Sequence, residues 1–135
     1  RYTVHPGDVL ISIMGTTGRC VVVPRGIPTA INTKHLCAIT PDSNRVESEY
    51  LRAAFLWHPE AWSHLRRQTK GSIMDGLNMS IIKAMPLPVP SLESQREFGA
   101  RVAEVNGRLT LARRAHALTD ELFASLQSRA FQGEL

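Results

Sequence analysis

Met85-Pro86-Leu87-Pro88-Val89-Pro90 divides the chain into two unlike parts. Three prolines at alternate positions cannot continue a helix and favour extended backbone, here expected as a strand. Before them, short runs of β-branched residues alternate with turns. After them, residues 91–135 contain no proline at all. The expected fold is therefore α+β: a β-rich portion with short helices over 1–90, followed by a long C-terminal helix over 91–135.

Upstream, Gly7-Asp8 opens a first strand, Val9-Leu10-Ile11-Ser12-Ile13-Met14. Gly15-Thr16-Thr17-Gly18 turns the chain and Cys20-Val21-Val22-Val23 returns it, a hairpin pattern. Pro24 and Pro28 frame a loop, and His35-Leu36-Cys37-Ala38-Ile39-Thr40 reads as a third strand. From Ser48 the period becomes helical, with Leu51, Ala54, Phe55 and His58 on one face until Pro59 interrupts. A further helix is expected from Ala61 to about Gln68, Trp62 and Leu65 inward, Arg66 and Arg67 outward. Residues 70–76 read as a loop, and Asn78 as the N-cap of a short helix through Lys83.

Downstream, Ser91 or Ser94 can cap a helix that nothing stops before Gly133. Apolar residues recur at Phe98, Val102, Val105, Leu109 and Ala112, the 4-3-4-3 spacing of a coiled-coil seam. The stripe then steps to Leu111, Ala115, Leu118, Leu122 and Leu126, a break in heptad phase. A helix of roughly 38 residues is about 57 Å long. A body of 90 residues cannot cover such a stripe, so a partner helix is expected, and the sequence holds no other of matching length.

The 135 residues are 43% hydrophobic and 21% charged, which suits a globular core and excludes wholesale disorder. No apolar run approaches the ~18 residues of a membrane span. The chain opens at Arg1 without a basic-then-apolar leader, so no secretory signal is expected, and the chain reads as processed or as a piece of something longer. Cys20 and Cys37 stand apart from any CxxC or Cys/His cluster, and reduced cytoplasmic thiols are expected. Residues 1–90 hold ten Lys/Arg against six Asp/Glu, whereas residues 91–135 hold six of each. The whole excess of +4 thus lies before the long helix, where it fits a polyanionic partner.

Arg66-Arg67-Gln68-Thr69-Lys70-Gly71-Ser72 is the densest basic stretch. Arg and Gln pair bidentately with guanine and adenine edges, while Lys and Ser more often hold phosphates. The same stretch also reads as a solvated helix end whose cations complement the dipole. Arg19, after the Gly15–Gly18 turn, is a further phosphate candidate. The turn could itself offer N–H groups to an anion, or its glycines could merely satisfy a tight hairpin. Lys34 and His35 stand at a strand entrance, His35 either structural or base-contacting. His58 and His64 lack a partner at metal spacing, so no metal is expected. Ser12, Ser63 and Ser72 lack a surrounding triad, and Asp8, Asp42 and Asp75 form no carboxylate cluster, so catalysis is not expected.

These segments together resemble the specificity subunit of type I restriction-modification systems, over essentially the whole chain. The resemblance is carried by Gly7-Asp8-Val9-Leu10-Ile11-Ser12 with Gly15-Thr16-Thr17-Gly18, by Asn32-Thr33-Lys34-His35-Leu36, and by Lys70-Gly71-Ser72-Ile73-Met74-Asp75-Gly76-Leu77-Asn78-Met79. The proline run with Gln95, and residues 122–135 ending Phe131-Gln132-Gly133-Glu134-Leu135, complete the ordered set. It implies part of a target-recognition domain over 1–90, reading one half of a bipartite site in double-stranded DNA. The helix over 91–135 then pairs with a second recognition domain's helix, or with a homodimer copy, and docks the methylation subunit. Through the complex it also meets the restriction subunit.

The resemblance further implies a non-catalytic chain without a cofactor of its own, in a prokaryotic cytoplasm. Its recognition domain normally begins well before the equivalent of Arg1. DNA contacts are expected at Arg19, Arg66, Arg67, Gln68, Lys70 and Ser72. Helix pairing is expected through Phe98, Val102, Val105, Leu109, Leu118, Leu122 and Leu126. The rival reading is a dimerising protein-interaction module without DNA binding.

Overall fold

The computed structural model describes residues 2–68 and 77–134. It is mixed α+β and divides into two units, Arg1–Phe98 and Gly99–Leu135. In the first unit, β1 (Thr3–Val4) pairs antiparallel with β4 (Ala30–Ile31). A second antiparallel sheet has the order β3-β2-β5, from Cys20–Val22, Val9–Ser12 and Leu36–Ile39.

Register sets the buried face of that sheet. Ile11 lies opposite Cys20 on one neighbour and Cys37 on the other, and Val9 lies opposite Val22 and Ile39. Opposed residues share a face, so two apolar rows cross the sheet. Phe55, Leu65, Leu77 and Ile82 join these rows in one core. Each fully buried side chain of this kind contributes about 1.5–3 kcal/mol. Buried Asp8 ties the sheet at one end, accepting hydrogen bonds from the His5 N–H (2.8 Å) and the Thr40 hydroxyl (2.7 Å).

The helices of this unit are α1 (Ser48–Trp57), α2 (Pro59–Gln68) and α3 (Met79–Lys83). α1 packs on β2 and β3 and also on α2, which packs on α3. Asn78 caps α3 as expected, its Oδ1 accepting from the N–H groups of Ser80 and Ile81. Two expectations change around Pro59. His58 lies outside α1 in extended conformation, because a residue preceding proline is driven out of the helical region. α2 begins at Pro59 rather than Ala61, since proline fits the first helical position, where no N–H partner is needed.

Two more corrections concern the quieter segments. The loop framed by Pro24 and Pro28 runs into β4, and β1 ahead of the expected first strand is its partner. The proline run belongs to no strand, because its three prolines lack the N–H donors a ladder needs. It is held instead by side chains: Tyr50 donates its hydroxyl to the Pro88 carbonyl at 2.7 Å.

α4 spans Leu92–Gln132. Ser91 caps it, its Oγ accepting from the Ser94 N–H at 3.2 Å. Its end is a Schellman arrangement, with Gly133 N–H donating to Ala130 and Glu134 N–H to Arg129. Gly133 takes the left-handed φ of 73° that this closure requires. In the second unit, nearly every residue of α4 is exposed. No helix among the described residues is long and apolar enough to cross a membrane.

Candidate nucleic-acid interface

α2 sorts its side chains by helical period. Ala61 and Leu65 are buried, whereas Arg66, Arg67 and Gln68 are exposed in the last turn. The helix is anchored through the side chains between these faces. Trp62 donates its indole N–H to the Leu56 carbonyl, and His64 Nε2 lies 3.0 Å from the Ile81 carbonyl of α3. That bond gives His64 a structural partner. The Arg66 guanidinium lies over the Trp62 ring, 5.8 Å from its centroid, a contact worth about 0.5–1 kcal/mol at an exposed site. Among the described residues, neither Arg66 nor Arg67 has a carboxylate partner. The only acidic residue of α2, Glu60, sits in the opposite, first turn. The last turn is therefore a compact cationic surface with one amide beside it, the donor set that base edges and phosphates accept.

Arg19 stands on a different element. The β2–β3 turn is organised by Ser12, a buried residue that sequence reading weighed only as a nucleophile. Its hydroxyl donates to the Thr16 carbonyl and accepts from the Arg19 N–H at 3.0 Å. The Gly18 N–H donates to the Ser12 carbonyl at 2.8 Å. Gly15 and Gly18 hold φ of 78° and 84°, so the turn requires its glycines for conformation. The Gly18 and Arg19 N–H groups are thus engaged within the turn and do not face an anion. The Arg19 side chain remains exposed.

The structure groups Arg66, Arg67 and Gln68 in one helical turn and leaves Arg19 on the sheet, with α1 packed on both elements. Lys70 and Ser72, with the rest of the 69–76 segment, lie outside the described residues. Of the seven residues expected to pair helices, Phe98 belongs to the first unit, where its ring meets Tyr50 edge-on at 6.0 Å. Val102 is half-buried, and Val105, Leu109, Leu118, Leu122 and Leu126 are exposed along α4.

Gln95 is the residue whose role sequence reading missed. It is 1% exposed. Its Nε2 donates to the carbonyls of Arg45 (3.0 Å) and Pro90 (2.8 Å), and its Oε1 accepts from the Glu47 N–H (2.9 Å). Glu47 also pairs with Arg96 at 2.8 Å. The first turns of α4, the proline run and the entrance to α1 are joined at this side chain. The only sequence signal was its place just after the proline run.

Among the described residues, no three His, Cys, Asp or Glu side chains gather as a metal site. Burial pushes the Cys20 thiol up to about 12 against the opposing charge of Arg52, and it raises Cys37 as well. Neither is poised as a nucleophile, which requires a lowered thiol pKa.

Comparison with known proteins adds two findings. The family model described as type I restriction modification DNA specificity domain matches residues 1–114. The chain is also similar to the type I restriction enzyme EcoBI specificity subunit of Escherichia coli, 27% identical over 139 aligned residues. That alignment takes in 100% of this chain and 29% of the relative, so the chain spans less than a third of the relative's length.

Proposed function

The chain belongs to the type I restriction modification DNA specificity domain family, and on that premise we propose that it recognises a specific sequence in double-stranded DNA. In this reading it directs the methylation and restriction subunits of a type I complex to their site and performs no chemistry itself. Residues 1–90 contribute part of a target-recognition domain. Residues 91–135 pair with a second helix, supplied by another recognition segment or another copy, and dock the methylation subunit. The complex works in a prokaryotic cytoplasm, where Cys20 and Cys37 stay reduced.

The observation that carries the reading is the family match over residues 1–114, which takes in the exposed Arg66, Arg67 and Gln68. We assign these three and Arg19 to DNA, together with Lys70 and Ser72 from the sequence alone. Arg66, Arg67 and Gln68 can reach base edges, while Arg19 and Lys70 suit phosphates. The pairing face is assigned to Phe98, Val102, Val105, Leu109, Leu118, Leu122 and Leu126. The rival reading, an interaction module indifferent to DNA, is not favoured by the family match.

The test is selection from a randomised duplex pool at about 50 and about 200 mM salt, with and without a cognate methylation subunit. The expected result is enrichment of a short half-site or split motif whose binding falls steeply with salt. No enrichment in the presence of the methylation subunit would overturn the reading.

A further inference from the structure

The two arginines in the last turn of α2 are exposed alike but held differently. Side chains four apart share a face of a helix. One such step before Arg66 stands Trp62, and one before Arg67 stands Ser63. The Arg66 guanidinium lies 5.8 Å from the centroid of the Trp62 ring, within the range of a cation–π contact. Among the described residues, Arg67 has neither a ring nor a carboxylate partner.

The ring is itself fixed. The Trp62 indole N–H donates to the Leu56 carbonyl in the last turn of α1, one of the carbonyls that a helix end leaves without a partner of its own. The Trp62 backbone N–H donates to the His58 carbonyl at 3.0 Å. Both bonds reach back across Pro59, so the half-buried indole is tied to α1 as well as to α2. The packing of two helices thereby sets the plane of the ring. An arginine resting on such a ring gives up rotamer freedom before any ligand arrives.

Base reading and phosphate binding place unlike demands on a cation. A guanine edge takes two N–H groups of one guanidinium held in a single plane, whereas a phosphate accepts from many directions. We propose that Trp62 is a positioning residue for DNA recognition, holding Arg66 to read a guanine and leaving the unsupported Arg67 to the phosphate backbone. The proposal rests on the DNA-recognition reading above and divides between two residues what that reading gives to the pair. Trp62 touches no base. It acts through Arg66 alone, by removing part of the ordering cost of bidentate pairing. At the strength of an exposed cation–π contact, this contributes about 2- to 5-fold to preference for the base pair that is read.

The experiment measures affinity of the full chain with its methylation subunit for a duplex carrying the selected site and for its single-base-pair variants, across a salt series. Arg66→Ala is expected to reduce preference at one G·C pair by about 5- to 150-fold. Arg67→Ala is expected to keep the ranking of sequences and to lower the slope of log K against log salt by about 0.9. Trp62→Leu, which removes the ring, should lose about 2- to 5-fold of preference at the Arg66 pair and leave the slope alone. Trp62→Phe, which keeps a ring face without the indole N–H, should retain most of it. Adding Trp62→Leu to Arg66→Ala should cost no further preference, because the two act as a unit. In the unsubstituted chain without DNA, nitrogen NMR relaxation should show the Arg66 Nε–H more ordered than that of Arg67, a readout that needs no variant to fold. Full preference in Trp62→Leu, equal losses in both Trp62 variants, or equal order at the two arginines overturns the positioning role while leaving DNA recognition intact. Preference unaltered by Arg66→Ala overturns the base-reading role and the positioning with it. Absence of binding by the unsubstituted chain overturns the recognition reading itself.

Discussion

Gln95 and Glu47, 48 residues apart in sequence, are joined by a 2.9 Å hydrogen bond from the Glu47 N–H to the Gln95 side chain. The bond fills a vacancy at the start of α1, where Glu47 provides no side-chain cap of its own. The same amide satisfies the carbonyls of Arg45 and Pro90. One side chain thus meets three backbone groups, and removing it leaves them desolvated and unpaired.

Gln95→Ala should therefore destabilise the first unit by about 2–4 kcal/mol, from several buried groups at about 1–3 kcal/mol each with partial relaxation. Urea unfolding followed by near-UV circular dichroism reads this as a lower midpoint. An unshifted midpoint would mean that Gln95 is not the fastening described.

Arg66→Ala with Arg67→Ala should leave the fold unchanged, since both side chains are exposed and Arg66 loses only its contact with Trp62. DNA affinity should fall, with the salt slope reduced by up to about 1.8 if both meet phosphates. If either reads a guanine edge, preference at one base pair should relax by about 1–3 kcal/mol. Selection from a random pool separates these outcomes. Unaltered affinity and preference would remove the last turn of α2 from the interface.

Leu109→Asp places a charge on the expected pairing seam. Leu109 is 48% exposed in the chain alone, so the substitution costs little until a partner covers it. Helix-mediated assembly should weaken by more than about 100-fold, from an unpaired charge worth at least ~3 kcal/mol in an apolar contact. Light scattering and methylation-subunit pull-down check this, with circular dichroism confirming that the first unit stays folded. Intact assembly would refute the seam.

Alkaline pH should destabilise the first unit through its thiols. Burial raises Cys20 from its ordinary 9.0 to about 12, and Cys37 moves the same way. Between those values the unfolded chain gives up protons that the native state retains. Stability is complete below about pH 9 and declines as pH rises towards 12, by at most about 1.4 kcal/mol per unit for Cys20. Under reducing conditions, the urea midpoint should fall between about pH 8 and about pH 10.5, and Cys20→Ala should flatten that fall. An identical decline in the variant would place its cause elsewhere.

What could be read from the residues alone follows how local each signal is. The β2–β3 hairpin was legible because Gly15 and Gly18 bracket its turn between β-branched runs. α3 announced itself through Asn78, and α4 through an apolar stripe at helical spacing with no proline after Pro90. β1 and β4 were not legible, because two residues each are too few to show a period. His58 was misplaced because its spacing matched the helix while Pro59 governed its backbone.

The candidate interface divides along the same line. Arg66, Arg67 and Gln68 are contiguous, so their clustering survives folding. That Arg19 and His35 stand at the same end of β2 depends on strand order β3-β2-β5, which no linear pattern displays. Gln95 was opaque for a similar reason, since two of its three partners lie 48 and 50 positions away.

The division of the chain at Phe98 has a practical side for anyone building chimaeras between relatives. Residues 92–98 are helical by conformation yet belong with the first unit, through Gln95 and the Tyr50–Phe98 ring contact. A splice made at the proline run would import a foreign first turn and sever the host's own fastening. A splice placed after Phe98 exchanges the remainder of the helix and leaves the first unit to fold with its native side chains.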